Sequence, residues 1–351
     1  MKSLSSNTIL SMNQLLQKFL FSSSLALSLF YANAQNKAAN IDSAAVNNLP
    51  GKGLLQHDFL YTGEWDYRKS VQTIYLIRGG KLIWSYSIAT KDSAGNETEL
   101  GDATMRPNGN IVFSYKTGAA EITPGKKIIW NYPAPAGTEI HSAEPIGNDR
   151  ILMVINGVPA KAKLINVKTG ETEKEMILPT GKPGAHLQFR RVRMAGAATV
   201  IAAHLDSNLV AEYDFNGTKL WGYRITKPWS VSRLKNGNTL ITSIECPIRE
   251  VNYHGDVVWQ LEQKDVPAIK LYQTQVAVRL ENGNTVFSNW CNKGIAKPGD
   301  WPGSVQLIEV TPEKKVVWAL CQWSDPDLGP ASSIQLLDGR GTKKGYLKNY
   351  K

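Results

Sequence analysis

Leu234-Lys235-Asn236-Gly237-Asn238-Thr239-Leu240-Ile241-Thr242-Ser243, closed further on by His254-Gly255-Asp256-Val257-Val258-Trp259, is a pattern that returns along the chain. An Asn-Gly pair between two alternating, β-branched runs is the strongest short-range hairpin signal. The next copy has Leu280, Asn282-Gly283-Asn284 and Thr285-Val286-Phe287-Ser288, and it ends in Val316-Val317-Trp318. The unit therefore reads as a small antiparallel sheet that is repeated.

Working outward, turns able to take positive φ fall at Asn108-Gly109, Gly147-Asn148, Ala195-Gly196, Asn236-Gly237, Asn282-Gly283 and Asp338-Gly339. Closing strands carry Trp84, Trp130, a degenerate copy near Glu173 to Met176, then Trp221, Trp259 and Trp318. The spacing averages about 47 residues, as in four-stranded propeller blades. A single unit cannot bury its own apolar faces, so the units must stack around an axis. The last turn has an apolar run before it and no blade after it, whereas Trp84 has outer strands and no inner one. Pairing the C-terminal strand with the N-terminal strands completes the circle and removes an open edge. The expected fold is an all-β, six-bladed β-propeller.

Residues 1–34 read as a secretory signal: Lys2 and Lys18 precede an apolar run from Phe19 to Phe30, and Ala32-Asn33-Ala34 is a small-x-small cleavage site. Residues 35–50 are a polar linker, and 51–345 form a single domain. The protein is expected to be exported, periplasmic or extracellular, with no transmembrane segment because the apolar run is too short to span. The formal net charge of +10 is spread without a long Lys or Arg run, which speaks against nucleic acid as a partner. Cys246, Cys291 and Cys321 lack metal-ligand spacing, so no metal is expected; Cys246 with Cys291 is the pair to test for a disulfide.

On a propeller the first strand of each blade lines the channel. Counting back from each turn places Gly101, His141, Gln188, Trp229, Gln275 and Ala331 at its lip, with His186 two residues earlier in the third blade. The ends of the second strands add Tyr115, Asn156, His204, Glu245, Asn289 and Trp290. One mouth should then carry imidazole, amide and indole groups, a combination suited to a sugar ring or an aryl group. His141, His186 and His204 come from adjacent blades and are the candidate catalytic residues, since imidazole changes charge near neutral pH. Tyr115, Asn156, Gln188, Arg190, Trp229, Gln275, Asn289 and Trp290 are the candidate ligand-binding residues. Strand alternation predicts that Arg190 and Arg191 do not both face the channel. The insertion from Asn292 to Ser304 reads either as a binding loop or as a packed cap.

Ala211-Glu212-Tyr213-Asp214-Phe215-Asn216-Gly217-Thr218-Lys219-Leu220-Trp221 and Asn166-Val167-Lys168-Thr169-Gly170-Glu171 resemble the repeats of PQQ-like, quinoprotein-type propellers. Quinoprotein dehydrogenases have eight blades and a vicinal cysteine pair; this chain has neither, so PQQ is not an expected cofactor. The Asn-Gly-Asn turns with a closing Val-Val-Trp also resemble exported arylsulfotransferase-like propellers. That resemblance implies a nucleophile among His141, His186 and His204, with Arg190 or Arg191 on the sulfuryl oxygens. Three readings follow: binding of a glycan or other small, anionic ligand at the channel mouth; an enzyme there, by histidine-dependent sulfuryl transfer or polysaccharide lysis; or a protein-interaction scaffold.

Overall fold

The computed structural model describes residues 48–181, 184–245 and 247–338. The signal and most of the linker lie outside the described residues, as do Cys246 and Gly339.

Six four-stranded antiparallel sheets are arranged as blades, each built from consecutive strands except the last. The innermost strands of blades 1 to 5 are Leu100–Met105, Glu139–Ile146, Phe189–Gly196, Pro228–Arg233 and Thr274–Arg279. Blade 6 takes its innermost strand from the other end of the chain: Ala331–Leu336 pairs with Phe59–Gly63, with Phe59 opposite Leu336 and Tyr61 opposite Ile334. The expected closure is therefore present. His57 tightens this seam, with ring nitrogens 2.7 Å from Asp338 and 3.0 Å from Glu309.

Alternating side chains of successive blades bury against each other and form the core. Leu60, Ile74 and Leu76 of blade 6 pack on Ala103, Ile111 and Phe113 of blade 1, and Leu152 and Val154 of blade 2 pack on Val192 and Val200 of blade 3. The recurrent tryptophans add a directional contact. Trp84, Trp221 and Trp259 each donate their indole N–H to a backbone carbonyl in the turn between the third and fourth strands of the neighbouring blade, Pro124, Tyr253 and Pro312, and Trp318 donates to Gly53 ahead of blade 6, all at 2.8–2.9 Å. A buried indole N–H needs such a partner. This bond repeats in four of the six blades and accounts for the recurring Trp.

The hairpin reading holds at Gly109, Gly147, Gly237 and Gly283, all at positive φ. The Ala195-Gly196 turn is different: Gly196 has no positive φ and pairs directly with Thr199 after a register shift, so the bulge makes the turn there. Among the described residues no helix is long and apolar enough to cross a membrane.

Candidate functional site at the channel mouth

The sequence register of the lip is accurate: Gly101, His141, Trp229, Gln275 and Ala331 begin or enter innermost strands, and Gln188 immediately precedes one. The expectation that only one of Arg190 and Arg191 faces inward is overturned. Both are buried, at 5% and 2% exposure, and both line one small cavity on the axis. The cause is a register shift between Phe189 and Val192, which breaks the period-two alternation. Comparable shifts occur at this end of the innermost strand in blades 1, 2, 4 and 5.

Arg190 organises the mouth. Its Nη1 donates to Glu99 Oε1 at 2.6 Å and to His141 Nδ1 at 2.9 Å, and its Nη2 donates to His186 Nε2 at 3.0 Å. Each ring thus accepts from the guanidinium on one nitrogen, and the opposite nitrogen meets Glu139 Oε2, at 2.7 Å for His141 and 3.0 Å for His186. Arg190, His141, Glu139 and His186 form a closed hydrogen-bonded circuit. The face of Arg190 lies 4.8 Å over the Trp229 ring, a cation–π contact that holds the fork in position.

Charges in this cluster are strongly displaced. Burial opposes ionisation of Glu99, but Arg190 and the two histidines overcome it and bring the carboxyl down to about 2. Glu139 is likewise held well below the carboxylate range: burial opposes this, and the bonds from His141 and His186 prevail. Burial, and then the charge of Arg190, lower His141. Glu64, whose carboxyl is hydrogen-bonded with Glu99, goes the other way: burial and the Glu99 charge push it up to about 8. Two carboxyls with environments that pull them apart are the usual arrangement of an acid and a base.

Glu99, His141 and His186 each offer a ligand atom, all within 4.8 Å of one another, a set of the type that binds divalent cations. Arg190 lies on the same three side chains and supplies their positive charge. The donor set and the arginine compete for one place.

Around the cluster, Trp65, His186, Trp229, Trp290 and Lys293 border a cavity of about 80 Å³. Trp65 stacks near His186, has Lys293 Nζ 5.6 Å from its ring centroid, and adopts a φ of 55° that is unusual for a bulky residue. Trp65 also borders a second cavity of about 170 Å³, with Tyr67, Lys91 and Glu99. Arg190 Nε and Trp290 Nε1 are buried and have no hydrogen-bond partner in the protein.

The remaining predicted residues lie apart from this cluster. His204 is 1% exposed inside blade 3, edge-on to Phe189 at 4.6 Å and 3.0 Å from the Tyr213 hydroxyl; burial takes it down to about 4. Asn156 donates to Phe189 O, Gln188 both donates to and accepts from the Gly157 backbone, and Asn289 clamps Lys270, Tyr272 and Val305. These amides tie loops between blades. The Tyr115 hydroxyl donates to Asn131. Gln275 is fully buried, and its carboxamide has no protein partner. In the insertion, Trp301 is 1% exposed and donates to Ile295 O, so that segment is a packed cap, while Lys293 reaches the mouth. Cys291 is a buried free thiol.

Sequence reasoning missed Glu64, Glu99, Glu139 and Trp65. The signal was available: the two-residue offset that found His186 gives Glu99 in blade 1 and Glu139 in blade 2.

The chain matches no protein-family model and no curated protein. Among solved structures it is similar to a protein of unknown function from Bacteroides caccae, with a TM-score of 0.68, 24% identity and coverage of 79% of this chain and 97% of that one. It is also similar to a catalytically inactive virginiamycin B lyase from Staphylococcus aureus with quinupristin, with a TM-score of 0.50, 12% identity and coverage of 80% and 90%. The likeness is one of fold. The β-propeller is what these chains share.

Proposed function

We propose that this is an exported propeller that binds a small, ring-bearing anionic ligand, a uronate-type sugar or an aryl ester such as an aryl sulfate, at the channel mouth. The observation that carries the reading is the pair of buried, unpartnered donors, Arg190 Nε and Trp290 Nε1, bordering one indole-walled cavity. Buried donors require acceptors, and a ligand oxygen meets both requirements. Trp65 and Trp229 provide flat apolar walls, and Lys293 and Lys91 bring positive charge to the two cavities that Trp65 borders. Export rests on the reading of residues 1–34.

A second reading, catalysis at the same place, is favoured by the opposed carboxyls: Glu64 held protonated as an acid and Glu99 held ionised as a base. It differs from the chemistry implied by the arylsulfotransferase resemblance. Both nitrogens of His141 and of His186 are engaged by Arg190 and Glu139, which leaves neither ring a free lone pair for nucleophilic attack.

A thermal-shift screen of the mature protein tests both. Uronate oligosaccharides or aryl sulfates should raise the melting temperature while neutral glycans do not. Trp290→Phe, which removes one donor and keeps the ring, should weaken the anionic ligand about tenfold, the scale of one lost hydrogen bond. Absence of any shift, or a shift indifferent to Trp290→Phe, overturns the binding reading. Product formation that disappears in Glu64→Gln establishes the second.

A further inference from the structure

Below the Arg190 layer the channel opens into a separate cavity of about 380 Å³, reached by all six innermost strands and extending to their far, turn-bearing ends. Its wall has two unlike halves. Blades 1 to 3 contribute Asp102, Glu144, Arg191 and Arg193, whereas blades 4 to 6 contribute an apolar run of Val231, Val276, Val278 and Leu336 interspersed with serines, Gln335 and one arginine, Arg279.

On the charged half, two arginines converge on one aspartate. Arg191 Nη1 lies 3.0 Å from Asp102 Oδ1, and Arg193 Nη2 bonds the other oxygen of the same carboxylate. Ser333 also donates to Asp102. Glu144 is the next acid on this wall, and burial raises its carboxyl above the usual range while it accepts from the Met194 N–H. Two guanidinium groups therefore share one carboxylate; Arg193 Nη1 also donates to Ser142 Oγ and Val192 O, at 2.9 and 3.1 Å. Arg279, on the blade 5 side of this cavity, lies 2.8 Å from Glu250 and over the Trp259 ring, and its Nε and Nη2 lack a hydrogen-bond partner in the protein. Arg191 is 2% exposed, and its Nε has no partner in the protein. A buried guanidinium with an unpaired N–H is costly unless something else supplies an acceptor.

We infer that this lower channel is a second ligand site, distinct from the mouth, which takes an amphipathic organic anion: a carboxylate or sulfate head on Arg191 and Arg193, and a hydrocarbon or aryl body along Val276, Val278 and Leu336. An inorganic anion would satisfy the arginines and leave the valine wall bare. A neutral apolar molecule would do the reverse. The cavity volume falls in the range of small-molecule sites.

Isothermal titration of the mature protein with hexanoate and hexyl sulfate tests the assignment, with inorganic sulfate and hexanol as head-only and body-only probes. One-to-one binding of hexanoate or hexyl sulfate, at least tenfold tighter than either control, is expected. Val278→Phe fills the apolar half without touching a charge and should abolish binding at unchanged melting temperature. Arg193→Gln should weaken binding by tenfold or more; should that variant fail to fold, Val278→Phe decides alone. His186→Ala, at the mouth, should leave the affinity unchanged. The inference is overturned if neither amphipathic anion binds, if inorganic sulfate binds as tightly as hexyl sulfate, if Val278→Phe binds normally, or if His186→Ala abolishes binding. Failure at the mouth leaves this result intact, and the converse also holds.

Discussion

Arg190 Nη1 and Glu99 Oε1 lie 2.6 Å apart, both side chains buried, although 91 positions separate them in the chain. The pair joins blade 3 to the strand entry of blade 1 across the channel axis. Its removal from one side only leaves an ionised carboxylate in the interior. Arg190→Met should therefore cost about 3–5 kcal/mol, the usual scale for breaking a buried pair. Adding Glu99→Gln should return a substantial part of that loss, because the stranded charge goes with it. Urea unfolding of the two single variants and the double variant measures the coupling. Simple additivity would show that the two groups do not act as a pair.

Glu64 should make the protein less stable in alkali. Its carboxyl stands at about 8 in the folded protein against an ordinary 4.5, raised by burial and by Glu99. A group with a raised folded pKa contributes stability that is complete below the unfolded value and is lost as pH rises through the folded one. The window is thus from about pH 4.5 to about pH 8. Glu64→Gln, which keeps the amide neutral, should melt close to the parent protein at pH 5 and above it at pH 9. Parallel melting curves across that range would refute the assignment.

His204 and His186 should separate cleanly. His204 fills space between Phe189 and Tyr213, and removing its ring leaves a cavity. His204→Ala should cost about 2–4 kcal/mol, as other large-to-small core changes do, with the affinity of the mouth for its ligand unchanged. In contrast, His186→Ala alters a half-exposed ring on the cavity wall and should affect mouth affinity more than melting. Paired melting and binding measurements distinguish them.

The blade count, the circular closure and the lip register were legible because each follows from local chemistry: Asn-Gly turns, alternating strands and a Trp closing most units. What each lip residue does was less legible. Asn156, Gln188 and Asn289 have the polar character of ligand groups, yet Gln188 and Asn289 are consumed by backbone groups of neighbouring loops, and Asn156 gives its amide N–H to Phe189 O while its Oδ1 stays unpaired. Arg190 and Arg191 defeated the alternation rule because a bulge at Phe189 lies between them and the regular strand. Glu99 and Glu139 were within reach of the offset that located His186. Glu64 was not, because it enters the mouth from blade 6, where the two ends of the chain meet.

Gly101 explains why one lip position carries no side chain at all. A Cβ there would stand 2.7 Å from Ser114 Oγ and 2.8 Å from the His141 carbonyl oxygen. Ser114 cannot turn away without giving up the bond its hydroxyl accepts from the Asp102 N–H. The carbonyl can retreat only by moving the strand that carries His141, and with it the Arg190 circuit. Gly101→Ala should therefore cost about 1–3 kcal/mol, the scale of overpacking, and also weaken ligand binding through a residue that touches no ligand. Gly299→Ala is the control, since nothing lies within 4 Å of its added methyl. Imidazole resonances of His141 that stay fixed in Gly101→Ala would show that blade 1 and blade 2 adjust independently, and the close packing at the lip would then not be what positions the histidine.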